Sequence, residues 1–359
     1  MADIKNIVVV GTTAEKINPT THRIVVVEKR DYYPHWPALI RAAVTDEGAI
    51  DEASLIPNDR VFDPTKVRVV RSTAKSISSS EVTTESGESI PYEHLVLATG
   101  SIWTGPMDLP DTRVAALKHL RAFKQELKAA KHILIIGGGT SGLEYAGEIR
   151  HYHPDKQVTI VHGGKELMNS AYPTKFRKST LDAMQERGVE VIFGDKISSS
   201  AVPVGGHVTT AQGKQLRADL VVNAVGGRLN TEVAKTLDQS VVTSTGTILV
   251  TPELNIKLQS GAKNVWAIGD IIEWPEQKMV FKAARAHAPT VLRNILASIQ
   301  GGKTAPYNGY IEAIAITLGP KGGRGFLPFL GGVVLGDWIV SKMKSKDLRI
   351  PDIKEILGY

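Results

Sequence analysis

Apolar residues along this chain alternate between short continuous blocks and longer stretches in which they recur every three or four positions. The blocks are rich in β-branched residues and have the length of buried strands. They predict strands at 6–10, 23–28, 67–71, 81–84, 94–98, 133–136, 158–161, 189–193, 219–224, 248–250 and 264–268. The periodic stretches predict helices at 116–129, 142–151, 172–187 and 282–300. This alternation favours an α/β fold with parallel sheets.

The most informative segment is 133–162, in which a strand, a glycine-rich turn, a helix and a second strand follow one another. This is the order and length of a dinucleotide-binding βαβ unit. Gly137 permits a tight turn, Gly139 lets the backbone approach a pyrophosphate, and Gly142 allows close packing of helix on strand. The helix, which begins near Thr140 and Ser141, offers free N–H groups to phosphate. The alternative is a glycine turn without a ligand.

The pattern repeats within the chain. A strand ending in glycine (7–11) is followed by a strand ending in an acid (24–28), and three more strands end in glycine at 95–100, 220–226 and 264–270. Two nested Rossmann-like folds, the first interrupted by the second, explain this order. We therefore predict a first domain at 1–112 and 244–310, a second domain at 113–243, and a small C-terminal segment at 311–359.

The amino-acid composition excludes several kinds of redox centre and partner. The chain has 359 residues and no cysteine, so a dithiol relay, a disulfide and a cysteine-ligated metal are excluded, and a redox enzyme of this kind must pass electrons directly from cofactor to acceptor. The net charge of +6 is dilute and lacks aromatic–basic interleaving, which makes nucleic acid an unlikely partner. No metal site is expected.

The ends of the chain suggest where it acts. Met1 to Lys5 lead straight into a strand, and no secretory leader is expected, so we predict a cytoplasmic protein that is not secreted. The apolar run from Phe326 to Gly336 is shorter than the ~20 residues of a membrane-spanning helix. Basic residues exceed acidic ones around it, which would suit peripheral contact with an anionic membrane, including a mitochondrial one.

Several segments carry a resemblance to a known family. They are YYPHWPALIRAAV (32–44), LVLATGS (95–101), GGGTSGLEYAGEI (137–149), NVWAIGD (264–270) and KSKDL (344–348). Together they resemble flavoproteins with two dinucleotide-binding domains and, more narrowly, the apoptosis-inducing-factor-like family with its ferroptosis-suppressor type and fungal homologues. The resemblance covers nearly the whole chain. It implies FAD in the first domain and NADH or NADPH in the second.

The resemblance also implies residue roles. The FAD-binding candidates are Gly11, Glu28, Lys29, His35, Arg41, Thr99, Gly100, Gly269 and Asp270. The nicotinamide-nucleotide candidates are Gly137, Gly139, Thr140, Ser141, Gly142, His162 and Gly226, and the catalytic candidates are Glu144, Lys282 and His287. Glu28 would bind the adenosine ribose, Asp270 the ribityl chain, and helix 282–300 would lie beside the flavin pyrimidine ring.

Each charged candidate also has an ordinary structural explanation. Arg41 could be a surface cation, and His35 could simply pack among aromatic side chains. Asp270 could cap a helix, and Glu144 could be an acid favoured by the helix dipole. Lys282 and His287 could serve amphipathic packing alone.

His162 stands 20 positions after Gly142, where an acid would select NAD by binding the ribose 2′-hydroxyl and repelling a 2′-phosphate. A histidine with Lys165 nearby repels neither cofactor. Either nicotinamide nucleotide is therefore permitted, with a slight preference for NADPH.

The first repeat departs from the family. Gly11-Thr12-Thr13-Ala14-Glu15-Lys16 stands where a Gly-x-Gly-x-x-Gly turn is expected, and the crossover is 8 residues shorter than in the second repeat. Pro19 leaves little room for a helix. We expect FAD affinity below that of intact relatives. The sequence leaves open a lost exon, a weak FAD binder and a pseudoenzyme that keeps only the second nucleotide site.

The favoured function is an FAD-dependent NAD(P)H oxidoreductase that passes electrons to a quinone-like small molecule. The competing function is a non-catalytic NAD(P)-binding protein that has lost tight FAD binding, and a basic nucleic-acid-binding effector is a weaker third hypothesis. The C-terminal segment could shape the acceptor entrance and touch a membrane, or could be a hairpin that covers the sheet.

Overall fold

The structure is a computed structural model that describes residues 5–10 and 21–359, apart from the side chain of residue 10. Its strands are β1 Lys5–Val10, β2 His22–Val27, β3 Tyr32–Pro34, β4 Leu55–Pro57, β5 Val67–Val70, β6 Ala74–Ile77, β7 Glu81–Thr84, β8 Ser89–Pro91, β9 His94–Leu97, β10 Ser101–Ile102, β11 His132–Ile136, β12 Gln157–His162, β13 Val189–Phe193, β14 His207–Thr209, β15 Gln215–Arg217, β16 Leu220–Asn223, β17 Arg228–Leu229, β18 Ile248–Leu249, β19 Val265–Ala267, β20 Ile272–Glu273, β21 Ile314–Thr317, β22 Gly323–Leu327 and β23 Val333–Leu335. Its α-helices are α1 Trp36–Val44, α2 Ile50–Ser54, α3 Arg113–Ala129, α4 Thr140–Tyr152, α5 Thr174–Glu186, α6 Glu232–Leu237, α7 Val280–Lys282, α8 Ala288–Ile299, α9 Asp337–Val340 and α10 Ile350–Ile356.

The chain forms two compact units. The first unit comprises Met1–Asp31, Asn58–Ile102 and Gly227–Ile311, and the second comprises Tyr32–Pro57, Trp103–Gly226 and Glu312–Tyr359. Residues 32–57 and the C-terminal segment therefore pack with the second glycine motif, a grouping that differs from the domain limits expected from the sequence. The assignment of one cofactor to each domain stays a prediction.

The first unit is built on a five-stranded parallel sheet with the order β19-β9-β1-β2-β5. Its strands are apolar on both faces, as expected of a parallel sheet covered on both sides. Because all five strands run the same way, their carboxyl ends meet at one edge. That edge brings together the segments that follow β2, β9 and β19, which carry Glu28, Thr99–Gly100 and Gly269–Asp270.

The second unit repeats this plan with a four-stranded parallel sheet of order β13-β12-β11-β16. The carboxyl ends of β11, β12 and β16 lead into the Gly137–Gly142 turn, His162 and Gly226. A three-stranded antiparallel sheet, β21-β22-β23, lies in the same unit and contacts α4 and α5.

The helix predicted at 282–300 is interrupted. It runs as α7, a π-turn at Ala283–His287 and then α8, and a second π-turn spans Ser341–Ser345. In the described part of the chain, no helix combines the length and the hydropathy that crossing a bilayer requires.

Candidate functional site

The glycine turn between β11 and α4 is tightly packed against backbone at Gly137 and Gly142, and against the side chains of Leu167 and His162 at Gly138. Gly137 has φ +107°, and a Cβ there would lie 2.8 Å from the Ala224 carbonyl oxygen. A Cβ on Gly142 would lie 2.0 Å from the Gly137 carbonyl oxygen, so the helix can approach the turn only because this position lacks a side chain. Replacement at either position must move backbone atoms.

Gly139 is different, because a Cβ there would meet no atom of the described protein within 4 Å. Gly139 is the N-cap residue just before α4, and no side chain among the described residues caps the N-terminus of this helix. Open space therefore faces the helix end where Thr140 and Ser141 expose first-turn N–H groups. A methyl group would fill the volume in which the backbone can approach a phosphate, so the residues present fit a dinucleotide.

His162 is hydrogen-bonded to the backbone at the start of this turn. Its Nδ1 accepts a hydrogen bond from the Gly138 N–H at 3.2 Å, and its ring packs edge-on against Phe193 with the centroids 6.3 Å apart. Burial lowers the pKa of His162, and hydrogen bonds to the backbone of Glu166 and Met168 oppose that shift. The imidazole is thus neutral at neutral pH and neither attracts nor repels a 2′-phosphate.

Replacing His162 with aspartate is expected to shift cofactor preference toward NADH. A carboxylate at the end of β12 can accept from the ribose 2′-hydroxyl and repels a 2′-phosphate, so the ratio of the NADPH to the NADH dissociation constant should rise by about tenfold, or ~1.4 kcal/mol. Fluorescence titrations with both nucleotides measure this ratio. His162→Asn, which keeps an acceptor for Gly138 without charge, should change it little. An unchanged ratio in the aspartate variant would show that position 162 does not face the adenosine ribose.

Glu144 lies on the first turns of α4 and is buried against the C-terminal segment. Its Oε1 accepts from the Thr317 N–H at 3.1 Å, from the Thr317 hydroxyl at 3.2 Å and from the Lys344 ammonium at 2.8 Å. The carboxylate therefore joins α4 to β21 and to the second π-turn. A catalytic role for Glu144 stays a prediction. Lys344 was not predicted as a site residue, although it lies in the KSKDL segment.

Arg41 and His35 lie in the second unit, each with a protein partner. Arg41 is 4 % exposed and forms a two-point ion pair with Glu148, Nε to Oε2 at 2.8 Å and Nη2 to Oε1 at 2.9 Å. The alternative of a surface cation is therefore wrong, because α1 is buried from Ala38 to Val44. His35 donates from Nε2 to the Leu348 carbonyl at 2.7 Å, and burial lowers its pKa.

The FAD candidates of the first unit cluster at the carboxyl edge of its sheet. Gly269 has φ +83°, and Asp270 accepts from the Ser101 hydroxyl at 3.4 Å. Burial raises the pKa of the Asp270 carboxyl, and the Lys278 ammonium opposes the shift. Thr99 donates its hydroxyl proton to the Asn230 carbonyl, and the Gly100 carbonyl accepts from the Asn230 N–H at 2.9 Å.

Two other FAD candidates follow β2. One carboxylate oxygen of Glu28 accepts from the Arg30 N–H at 2.8 Å, which positions it at the end of the strand, and Lys29 is exposed. Gly11 and the shortened turn lie outside the described residues.

Lys282 and His287, the two catalytic candidates of the first unit, come together around a residue that the sequence did not single out. Glu276 accepts from His287 Nε2 at 2.8 Å and lies 3.6 Å from the Lys282 ammonium. All three line a small pocket with Gly269, Asp270 and Lys278. The Gly269–Asp270 turn, with backbone at positive φ and a carboxylate at the sheet edge, offers an acceptor that fits the sugar hydroxyls of a dinucleotide.

The two parallel sheets each have a strand that ends in a glycine turn. This arrangement is typical of oxidoreductases with two dinucleotide-binding domains. The profile of the pyridine nucleotide-disulphide oxidoreductase family matches residues 7–288, and the chain belongs to this family. The family implies binding of FAD and a pyridine nucleotide, and it confirms the class that the sequence resembled. The cysteine-free sequence excludes a redox disulfide in this member.

Relatives cover nearly the full chain. This chain is 36 % identical over 320 residues to the FAD-dependent oxidoreductase FVFD30 of Flammulina velutipes, and the match covers 88 % of this chain and 98 % of that protein. It is 24 % identical to ferroptosis suppressor protein 1 of Homo sapiens, across 96 % and 94 % of the two chains. The predicted resemblance is confirmed.

Solved structures share the fold. The sulfide:quinone oxidoreductase of Aquifex aeolicus matches with a TM-score of 0.75 at 16 % identity, over 99 % of this chain and 92 % of that one. A ferredoxin reductase of Rhodopseudomonas palustris matches with a TM-score of 0.67 at 22 % identity, over 88 % and 85 %. The α/β prediction with parallel sheets is confirmed.

Proposed function

We propose that this protein oxidises NADH or NADPH and delivers the electrons, through FAD, to a quinone-like small molecule. The observation that carries the proposal is the Gly137–Gly142 turn, with its packed glycines at 137 and 142 and open space at Gly139. The family supports the redox class. Because the chain has no cysteine and hence no dithiol, electrons must pass directly from the flavin to the acceptor, and a quinone is a small molecule that can take them in this way.

In this proposal the residues of the chain bind the two cofactors and orient them. When both cofactors are bound, the chemistry supplied is hydride transfer from reduced nicotinamide and onward electron transfer. The α4 N-terminus would hold the nicotinamide nucleotide through main-chain N–H groups, with neutral His162 beside it. Asp270 would hold the ribityl chain, and Glu28 the adenosine ribose, through carboxylate oxygens.

The C-terminal segment supports a peripheral contact with an anionic lipid surface. Leu330, at the turn between β22 and β23, is 98 % exposed, and Trp338 is 69 % exposed. The Lys342 ammonium lies 4.2 Å from the centroid of the Trp338 ring, which places a basic group beside an apolar one. Exposed aromatic and aliphatic groups near lysines are typical of interfacial contacts.

Cofactor content decides between the oxidoreductase and a non-catalytic NAD(P)-binding protein. We expect purified protein to take up added FAD to about one equivalent but to lose it on prolonged dialysis, because the sequence from Gly11 to Glu28 is 8 residues shorter than its counterpart in the second repeat. Visible flavin absorbance and NADH-driven reduction of a soluble quinone analogue measure the two steps. Saturable NADH binding with no flavin uptake would establish the non-catalytic alternative. Flavin that stays at about one equivalent through prolonged dialysis would contradict the expected weak binding.

A further inference from the structure

A buried polar cluster in the first unit centres on Glu276, whose side chain is 8 % exposed. One carboxylate oxygen accepts from His287 Nε2 at 2.8 Å, and the other accepts from the Tyr307 hydroxyl at 2.8 Å. The Lys282 ammonium, 1 % exposed, lies 3.6 Å from the second oxygen. Tyr307 packs edge-on against the His287 ring, with the centroids 4.8 Å apart. A single carboxylate thus has three side-chain neighbours.

The π-turn explains how two residues of one helix reach this carboxylate. Lys282 and His287 are five positions apart, which in a regular α-helix at ~100° per residue would place them ~140° apart on the helix surface. In the π-turn the Ala288 N–H donates to the Ala283 carbonyl, five residues back, so one extra residue is taken up in the turn. Residues five apart then lie on the same face of the helix, as residues four apart do in a regular α-helix. The irregular turn therefore presents Lys282 and His287 to Glu276 together.

His287 links the cluster to the Gly269–Asp270 turn. Its Nδ1 accepts from the Gly269 N–H at 3.1 Å, while Nε2 is bonded to Glu276. A backbone N–H can only donate, so Nδ1 must be unprotonated and Nε2 must carry the proton. Glu276, an acceptor when ionised, stabilises that tautomer. Burial lowers the pKa of His287, with Glu276 opposing, which agrees with a neutral ring.

We propose that Glu276 is a positioning residue: acting through His287, it holds the Gly269–Asp270 turn and the Lys282 ammonium in the arrangement that receives FAD. The inference rests on the proposed function for the identity of the ligand. It adds the residue that organises both catalytic candidates. It also gives the π-turn a role, since a regular helix would separate the two side chains that Glu276 binds.

Two substitutions separate the position of the carboxylate from its charge. Glu276→Gln keeps an oxygen that can accept from Nε2, whereas Glu276→Leu keeps neither acceptor nor charge. The matched control is Glu85→Leu at an exposed position of the same unit. The first readout is the ¹⁵N spectrum of the histidine rings in the FAD-free protein, which reports the tautomer. The second is the FAD dissociation constant from flavin fluorescence.

The expected result is the Nε2–H tautomer of His287 alone in the wild type and in Glu276→Gln. In Glu276→Leu the ring is no longer fixed at Nε2, so it should rotate away from the Gly269 N–H and show a mixture of the two tautomers. FAD affinity should fall by a few fold in Glu276→Gln and by about tenfold or more in Glu276→Leu, the range of a lost buried hydrogen bond to a charged group, with no change in the Glu85 control. Rescue by glutamine distinguishes a positioning effect from general loss of packing.

Wild-type tautomer and wild-type FAD affinity in Glu276→Leu would overturn the inference. If that variant does not fold, a double-mutant cycle of Glu276→Ala, which removes the acceptor, with His287→Gln replaces it, and strictly additive effects on FAD affinity would overturn the inference equally. If the wild type takes up no FAD, the proposed function fails. The tautomer comparison then still decides whether Glu276 positions His287.

Discussion

Gly142→Ala is expected to lose both stability and nucleotide binding. Its Cβ would lie 2.0 Å from the Gly137 carbonyl oxygen, so either α4 or the turn must move. Forcing atoms into such a packed position should cost about 3 kcal/mol in the free energy of unfolding. Because the same turn supplies the N–H groups for phosphate, saturable NADH binding should disappear. Urea denaturation and nucleotide titration measure the two effects.

Gly139→Ala is the matched control for this prediction. Its φ of −82° suits alanine, and the new methyl group would meet no described atom within 4 Å, so the free energy of unfolding should change by less than ~1 kcal/mol. The methyl group would nevertheless occupy the open space beside the helix N-terminus, and NADH affinity should fall by about tenfold or more. A stable Gly142→Ala variant, or a Gly139→Ala variant with wild-type NADH affinity, would contradict the geometry assigned to this turn.

Removing either partner of the Arg41–Glu148 pair is expected to destabilise the second unit by about 3–5 kcal/mol. Both side chains are at most 4 % exposed and meet at two points, so Arg41→Met or Glu148→Leu leaves a buried charge without its counter-ion. The double variant Arg41→Met/Glu148→Leu should recover much of the loss because it leaves neither charge behind. Chemical denaturation of the four proteins gives the coupling energy.

The same cycle tests the predicted FAD role of Arg41. If Glu148 is the main partner of Arg41, Arg41→Met should lower the free energy of unfolding. Its FAD affinity should then fall no further than this loss of stability explains. An Arg41→Met protein of wild-type stability that has lost FAD binding would contradict the structural role and restore the cofactor role.

Local patterns in the sequence were enough to predict the glycine turn and every strand of the two parallel sheets. Blocks such as Ile133–Ile136 are apolar throughout because both faces of a parallel sheet are covered. The glycines of the turn could be recognised from their spacing, because each position excludes a side chain for its own steric reason. The helix α1 was missed because nearly all of it is buried, which removes the polar face that marks an amphipathic helix. The strands β21–β23 were missed because each has five residues or fewer and glycines lie within or between them.

The site was harder to predict because its contacts join distant residues. Arg41 meets Glu148 across 107 positions, and Glu144 meets Lys344 across 200, and no local period records either pairing. Lys282 and His287 were singled out, but their five-residue spacing indicates opposite faces of a regular helix. Only the π-turn, which has no signal in the sequence, places both beside Glu276.

We expect the second unit to bind a pyridine dinucleotide through main-chain groups of the Gly137–Gly142 turn. Isothermal titration calorimetry of the purified protein with NADH and with NADPH, and of Gly139→Ala in parallel, tests it most directly. The expected result is saturable heat at about one nucleotide per chain for at least one of the two nucleotides, and weaker binding for the alanine variant. No saturable heat with either nucleotide in the wild type would contradict it.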